Sequence, residues 1–104
     1  MAEGNEQRRG IRLPLSGPIT IVMSSGRRLQ GQAMDVSLLG CRFRAEAPLQ
    51  VGDRITTVLL FASGKNQVVE GTIKFVTSGP PYQHSVVFTQ ETTEQIIKHL
   101  IKIT

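Results

Sequence analysis

Alternation of apolar and polar residues with a period of two recurs along most of this chain and constrains its fold more than any other feature. Between Cys41 and Ala45, for example, apolar side chains alternate with Arg42 and Arg44. Because successive side chains of a β-strand point to opposite faces, this segment is predicted to bury one set and expose both arginines. Residues 19–23, 29–33 and 68–75 show the same alternation, and residues 84–88 are predicted to form a last strand. The sequence therefore predicts a mainly β protein.

One segment, Ile55–Phe61, departs from this alternation because it is a nearly continuous run of apolar residues and threonine. Such a run predicts a strand that is buried on much of both faces. Turn-forming residues separate the predicted strands, at residues 24–26, 35–40, 48–53, 62–66 and 79–81. The strands are therefore expected to be short and to be joined by compact connections.

The C-terminal residues change from a period of two to the period of a helix. Four apolar residues between Ile96 and Ile101 form one stripe at helical spacing. Thr92 and Gln95 fit a capping box that would start this helix, which is predicted over about residues 92–103. Several short strands followed by one amphipathic helix predict a small antiparallel barrel with the helix packed against it.

The length and composition restrict the class of protein further. The 104 residues are enough for one domain with one core. The single cysteine, Cys41, excludes an intrachain disulfide and favours a reducing, intracellular setting. No apolar run approaches the roughly 20 residues that a membrane helix needs, and the first residues lack the apolar segment of a signal peptide. We therefore expect a cytoplasmic protein without membrane insertion.

Candidate catalytic residues are few. The two histidines, His84 and His99, lie in different predicted elements and in no metal-ligand spacing. Cys41 lies on the apolar face of its strand, which favours a core position, and Ser37 has no histidine near it in the sequence. Neither a G-x-x-x-x-G-K-[ST] phosphate loop nor a G-x-G-x-x-G turn is present. The sequence predicts a binding protein rather than an enzyme, with no metal site and no cofactor.

The arginines point to a site for an anion. All eight lie within residues 1–54, whereas all four lysines follow them. Arginine carries a planar fork of donors that matches phosphate oxygens and guanine edges. Arg8, Arg9 and Arg12 lie in residues 1–12, which lack strand or helix periodicity and are predicted to form a flexible N-terminal arm. These three arginines can surround a compact dianion; a basic arm without a ligand is the alternative.

A second candidate for ligand binding is the segment Asp35–Gly40, between two predicted strands. Asp35 can accept hydrogen bonds from the N1 and N2 donors of a guanine, or from backbone donors in its own turn. Ser37 adds a hydroxyl, and Gly40 permits a positive φ or the close approach of a ligand. The alternative is a connecting turn that satisfies its own polar groups.

An Arg-x-x-x-Arg arm followed by Asp-x-Ser-x-x-Gly within a small β domain resembles the PilZ family. The Leu-x-x-Gly-Asp stretch at Leu49–Asp53 and the C-terminal helix are similar as well, so the likeness covers essentially the whole chain. The resemblance implies a six-stranded antiparallel barrel, split or Greek-key-like, with the C-terminal helix packed against it, in residues 13–104. It also implies that the ligand is cyclic di-GMP, a bacterial second messenger.

The resemblance assigns site residues by their position in the two motifs. They are Arg8, Arg9 and Arg12 on the arm, and Asp35, Ser37 and Gly40 on the barrel. Members of the family often have glycine where this chain has Leu39, so we expect either a slightly different turn or a leucine that packs on the ligand. Arg42 follows on the exposed face of the next strand, where it is either an additional phosphate contact or a plain solvated arginine.

Three functions remain open at this point. The first is a cyclic di-GMP receptor whose arm changes position on binding and which signals to a protein partner. The second is a PilZ-like protein–protein interaction module that binds no nucleotide. The third, a nucleic-acid-binding barrel, is permitted by the net charge of +4, but the lack of Trp and the single Tyr82 argue against a base-stacking surface. We therefore expect no nucleic-acid partner.

Overall fold

The structure, a computed structural model, describes the backbone of residues 12–101 and the side chains of residues 12–98. Seven strands precede one helix in this range. They are β1 (Leu13–Pro14), β2 (Pro18–Met23), β3 (Arg28–Val36), β4 (Gly40–Ala45), β5 (Arg54–Leu60), β6 (Asn66–Val76), β7 (Tyr82–Phe88) and α1 (Gln90–Ile101).

Six of the strands close into an antiparallel barrel, as predicted. Around the barrel the order is β3, β2, β5, β6, β7 and β4, and β4 pairs again with β3. The two-residue strand β1 is additional and pairs with the end of β3, with Leu13 opposite Val36 and Pro14 opposite Asp35. Closure leaves few unpaired strand edges, which is how small β proteins avoid edge-to-edge association.

The joints between neighbouring strands differ in length. Within the described range, β2 and β5 share two residue pairs, Val22 with Thr56 and Met23 with Ile55, whereas β3 and β4 share five. Beyond the two pairs, the hydroxyl of Thr57 donates to the backbone carbonyl of Thr20 at 2.7 Å. A side chain thus replaces part of the backbone ladder at this joint.

The core is formed by the inward-facing side chains of the strands, as the alternation predicts. In β4, for example, Phe43 is fully buried while the neighbouring Arg44 is exposed. The prediction that Ile55–Phe61 is buried on much of both faces is wrong. Every second residue of that segment is buried, but Val58 and Leu60 are 46% and 59% exposed, because their face of the hairpin is covered by no other element among the described residues.

The helix begins two residues earlier than predicted, at Gln90, and a different threonine caps it. The hydroxyl oxygen of Thr89 accepts a hydrogen bond from the backbone N–H of Thr92 at 3.2 Å, which is the geometry of an N-cap. The predicted cap, Thr92, instead accepts a hydrogen bond from the backbone N–H of Glu70 on β6. The helix packs against β6 and β7 and places Ile96 in the barrel core.

His84 lies within β7, as predicted, and is fully buried. Its ring stacks on Phe43 of β4, with centroids 4.6 Å apart and planes 8° from parallel. Its Nε2 atom accepts a hydrogen bond from the backbone N–H of Leu49 at 3.0 Å. Burial lowers the pKa of His84, and the backbone carbonyls of Tyr82 and Phe43 offset this only in part. The neutral ring therefore anchors the loop that precedes β5 to the barrel.

Candidate functional site

A β-bulge in β3 determines where the carboxylate of Asp35 points. Ala33 and Asp35 occupy successive pairs opposite β4, so Met34 is an extra residue between them. In a regular strand, Asp35 would share the inward face with Ala33. The bulge shifts the alternation, so Val36 faces the core while Asp35 lies on the outer side, opposite Arg42.

The expected position of Asp35 in a connecting turn is therefore wrong. Asp35 lies in β3, and the turn that follows comprises residues 37–39. The alternation in the sequence stops at Ala33, and this stop predicts the end of the strand. In the structure it marks the bulge.

Two arginines hold the carboxylate of Asp35. Arg42 donates from Nε to Oδ1 at 3.1 Å and to Oδ2 at 3.0 Å, and its Nη2 also donates to Oδ2. Arg12 donates from Nη1 to Oδ1 at 2.9 Å. Arg12 is within reach because β1, which follows it directly, pairs with β3 at Pro14 and Asp35. The Asp35 side chain is 12% exposed, compared with 39% for Arg12 and 33% for Arg42.

The charges of this cluster keep Asp35 ionised. Burial by itself raises the pKa of Asp35, but the hydrogen bonds and positive charges of Arg42 and Arg12 outweigh it and lower the pKa below its ordinary value of 3.8. The same hydrogen bond raises the pKa of Arg42. The site at neutral pH is thus one carboxylate between two guanidinium groups, with a net charge of +1.

The turn after Asp35 is closed by its own hydrogen bonds. The hydroxyl of Ser37 donates to the carbonyl oxygen of Gly40 at 3.3 Å, and the backbone N–H of Ser37 donates to the same oxygen at 2.8 Å. Ser37 is buried. Its hydroxyl can still accept a hydrogen bond while it donates this one.

Gly40 is required by the packing of the strands. Its φ is not positive, so the first of the two roles that the sequence permits for this glycine is not used. A Cβ at this position would collide with the carbonyl oxygen of Val86 on β7. Leu39 also has no positive φ, and its carbonyl accepts a hydrogen bond from the N–H of Phe88 at 2.8 Å. The turn thus accommodates a leucine where the resemblance leads one to expect glycine, and the Leu39 side chain is 46% exposed.

The structure brings three of the predicted site residues, Arg12, Asp35 and Arg42, into direct contact, with Ser37 in the adjoining turn and Gly40 at the start of β4. The other two, Arg8 and Arg9, lie outside the described residues. Sequence reasoning missed the contact between Arg42 and Asp35. The signal that could have found it is the outward position of Arg42 in a strand that must pair with the one carrying Asp35.

Cys41, beside Arg42, is a core residue, as predicted. It is 2% exposed, and burial raises the pKa of its thiol to about 12. A thiol in this state is neutral and is no nucleophile at neutral pH.

The one helix in the part of the chain that is described is neither long enough nor apolar enough to cross a membrane.

Several solved structures share this fold. The PilZ domain of CeSA from a cellulose-synthesizing bacterium has a TM-score of 0.65 at 15% identity, covering 89% of this chain and 97% of that one. The PilZ domain of YcgR from Escherichia coli, solved with c-di-GMP, has a TM-score of 0.66 at 14% identity, covering 88% and 87%. Apo MrkH of K. pneumonia has a TM-score of 0.63 at 20% identity, covering 88% of this chain and 49% of MrkH.

At these identities the likeness concerns the fold. No curated protein matches the sequence. The sequence model of the PilZ domain matches residues 6–104, which include both arginine and aspartate motifs, the barrel and the helix. The chain belongs to the PilZ domain family.

Proposed function

We propose that this chain is a receptor for cyclic di-GMP that acts in the bacterial cytoplasm and passes its signal to a protein partner. The observation that carries the proposal is the cluster at the end of β3, where an ionised carboxylate lies between two partly exposed arginines. Arg12 and Asp35 are the positions that the resemblance assigns to the arginine and aspartate motifs, and both lie within the range matched by the PilZ family. The function is that of a binding protein rather than an enzyme.

The chemistry of the cluster fits both parts of this ligand. Cyclic di-GMP carries two phosphates and two guanines. The guanidinium of Arg12, joined in our proposal by those of Arg8 and Arg9, would neutralise the phosphates and donate to guanine O6 and N7. The carboxylate of Asp35 would accept from the N1 and N2 donors of a guanine. Ser37 would supply its hydroxyl as an acceptor.

The relatives support the same ligand. The PilZ domain of YcgR, whose fold this chain shares over most of its length, was solved in complex with c-di-GMP.

The close approach of β7 at Gly40 supports a defined turn beside the site. Gly40 is buried against β7 and would hold the turn beside the ligand, while the half-exposed Leu39 would present apolar surface to it.

The output would be a change of surface. Arg12 directly precedes β1, so a ligand that engages this side chain would also change the position of the arm, residues 1–12, relative to the barrel. Ordering a segment on binding costs entropy, so we expect moderate affinity and a large change in the exposed surface. A protein effector would read this change.

Isothermal titration with cyclic di-GMP tests the proposal and gives the stoichiometry, one or two ligands per chain. Replacing Arg12 with Ala should weaken binding about 10- to 100-fold, the usual effect of removing a charge-assisted hydrogen bond. Arg28→Ala is the matched control, because it removes the same charge at the opposite, exposed end of β3. Equal affinities of the Arg12 variant and wild type would contradict the proposed contact between Arg12 and the ligand.

Binding to the wild type is also measured by amide NMR shifts. An unchanged spectrum at millimolar cyclic di-GMP would refute the receptor function. It would favour the alternative function, a protein–protein interaction module that binds no nucleotide.

A further inference from the structure

The contact between Arg42 and Asp35 suggests a role for Arg42 other than phosphate binding. We infer that, in the ligand-free chain, Arg42 donates to the same carboxylate of Asp35 that a guanine edge would use in the complex. Ligand binding would then replace the N–H pair of Arg42 with the N–H pair of the guanine. This inference rests on the proposed function. It makes Arg42 an internal competitor that sets the affinity of the site.

Arg42 and a guanine edge offer the carboxylate of Asp35 the same pair of donors. The Nε and Nη2 atoms of Arg42 present two adjacent N–H groups to the two oxygens of Asp35. Guanine presents the same pattern on its Watson–Crick edge, where N1–H and the N2 amino group are adjacent donors. One carboxylate edge cannot accept both pairs side by side, because each pair uses both oxygens.

The carboxylate of Asp35 has little room for a further donor. Arg12 donates to Oδ1 at 2.9 Å in addition to the fork from Arg42. The Asp35 side chain is 12% exposed, so the arginines and the neighbouring strands cover most of it. A ligand base can reach these oxygens only where an arginine withdraws.

The side chain of Arg42 is free to withdraw from Asp35. Its backbone is held by β3 and β7, but its side chain is 33% exposed and, within the described residues, the structure shows hydrogen bonds from it to Asp35 alone. Because the guanidinium is partly exposed, water can solvate it when the fork to Asp35 opens, which lowers the cost of withdrawal. A rotation of the side chain toward solvent would therefore uncover the carboxylate while Arg12 remains in place.

The test compares Arg42→Ala with Arg44→Ala by titration with cyclic di-GMP. Arg44 is the matched control because it is two residues further along the outer face of β4 and opposite Gln32 rather than Asp35. Both variants lose one positive charge near an anionic ligand. The difference between their affinities therefore measures the competition between Arg42 and the ligand for Asp35. We expect the Arg42 variant to bind about three- to tenfold more tightly than the Arg44 variant, since the ligand no longer displaces a fork.

A second readout follows the side chain itself. In a ¹H–¹⁵N spectrum the Nε–H signal of Arg42, identified by its loss in Arg42→Ala, should be present in the free protein and should shift or broaden when cyclic di-GMP saturates the site. The Asp35→Asn variant should move this signal without any ligand, because the charged acceptor is gone.

The outcomes separate this inference from the proposed function. If wild type binds cyclic di-GMP but the Arg42 variant binds as weakly as the Arg44 variant or more weakly, the receptor stands and the competition is refuted. An Arg42 Nε–H signal that is unchanged at saturation refutes it as well. If wild type does not bind, the proposed function fails, while the Asp35→Asn spectrum still reports whether Arg42 is hydrogen-bonded to Asp35 in the free protein.

Discussion

The buried histidine of β7 should make the stability of this protein depend on pH between about 7.5 and 5.5. His84 is fully buried, and its Nε2 accepts the N–H of Leu49, so protonation would break that hydrogen bond and place a charge in the core. Burial lowers the pKa of His84 in the folded chain below the value of 6.5 of an ordinary histidine. In the unfolded chain it takes up a proton near pH 6.5.

The sign follows from proton uptake. Below pH 6.5 the unfolded chain binds a proton at this position that the folded chain does not, so acid favours unfolding. The full contribution of the neutral histidine is present above pH 6.5 and is lost as the pH falls toward the folded pKa. With an unfolded pKa of 6.5, the free energy of unfolding should fall by at most about 1.4 kcal/mol from pH 7.5 to pH 5.5. Asp35, whose pKa is lowered, remains ionised throughout this window.

Urea unfolding followed by circular dichroism at several pH values measures this loss. The reference is His84→Gln, because a glutamine carbonyl can accept the N–H of Leu49 in place of Nε2 and does not titrate. Carrying His99→Gln in both proteins removes the other histidine from the comparison. The reasoning is refuted if the two proteins lose the same free energy between pH 7.5 and pH 5.5.

Two further predictions concern packing and capping. Gly40→Ala should destabilise the barrel by about 3 kcal/mol, because the added methyl group meets the carbonyl oxygen of Val86; a melting temperature equal to that of wild type would show that β7 moves away at no cost. Thr89→Ala should cost about 1 kcal/mol through loss of the N-cap to Thr92, whereas Thr93→Ala, one turn into the helix, should change the free energy of unfolding little; equal urea midpoints for the two variants would contradict the cap.

Much of the barrel could be predicted from the sequence because each strand has one buried and one exposed face. The alternation around Phe43 and Arg44 is a direct consequence of this burial, and it is sufficient to place β4. The same reasoning failed for Val58 and Leu60, since hydrophobic residues on the outer face of a strand look in sequence like a second buried face.

The candidate site was predicted less completely because its geometry depends on pairing between strands. The bulge at Met34 turns Asp35 toward Arg42, and no local pattern reveals which residue of a strand is the extra one. The cap of α1 was assigned to the wrong threonine for a similar reason. Thr89 and Thr92 lie three residues apart in the sequence, and only the structure shows that Thr89 precedes the helix while Thr92 lies in its first turn and contacts β6.

The short pairing between β2 and β5 determines where the barrel opens most easily. With two residue pairs there and five between β3 and β4, a fluctuation that opens the ring into a curved sheet costs least at the β2–β5 joint. Such an opening leaves β1, β3 and β4 joined to one another, and with them Arg12, Asp35 and Arg42. The cluster and the pairing that opens at least cost thus lie in different parts of the barrel, so the cluster can keep its geometry while the rest of the ring relaxes.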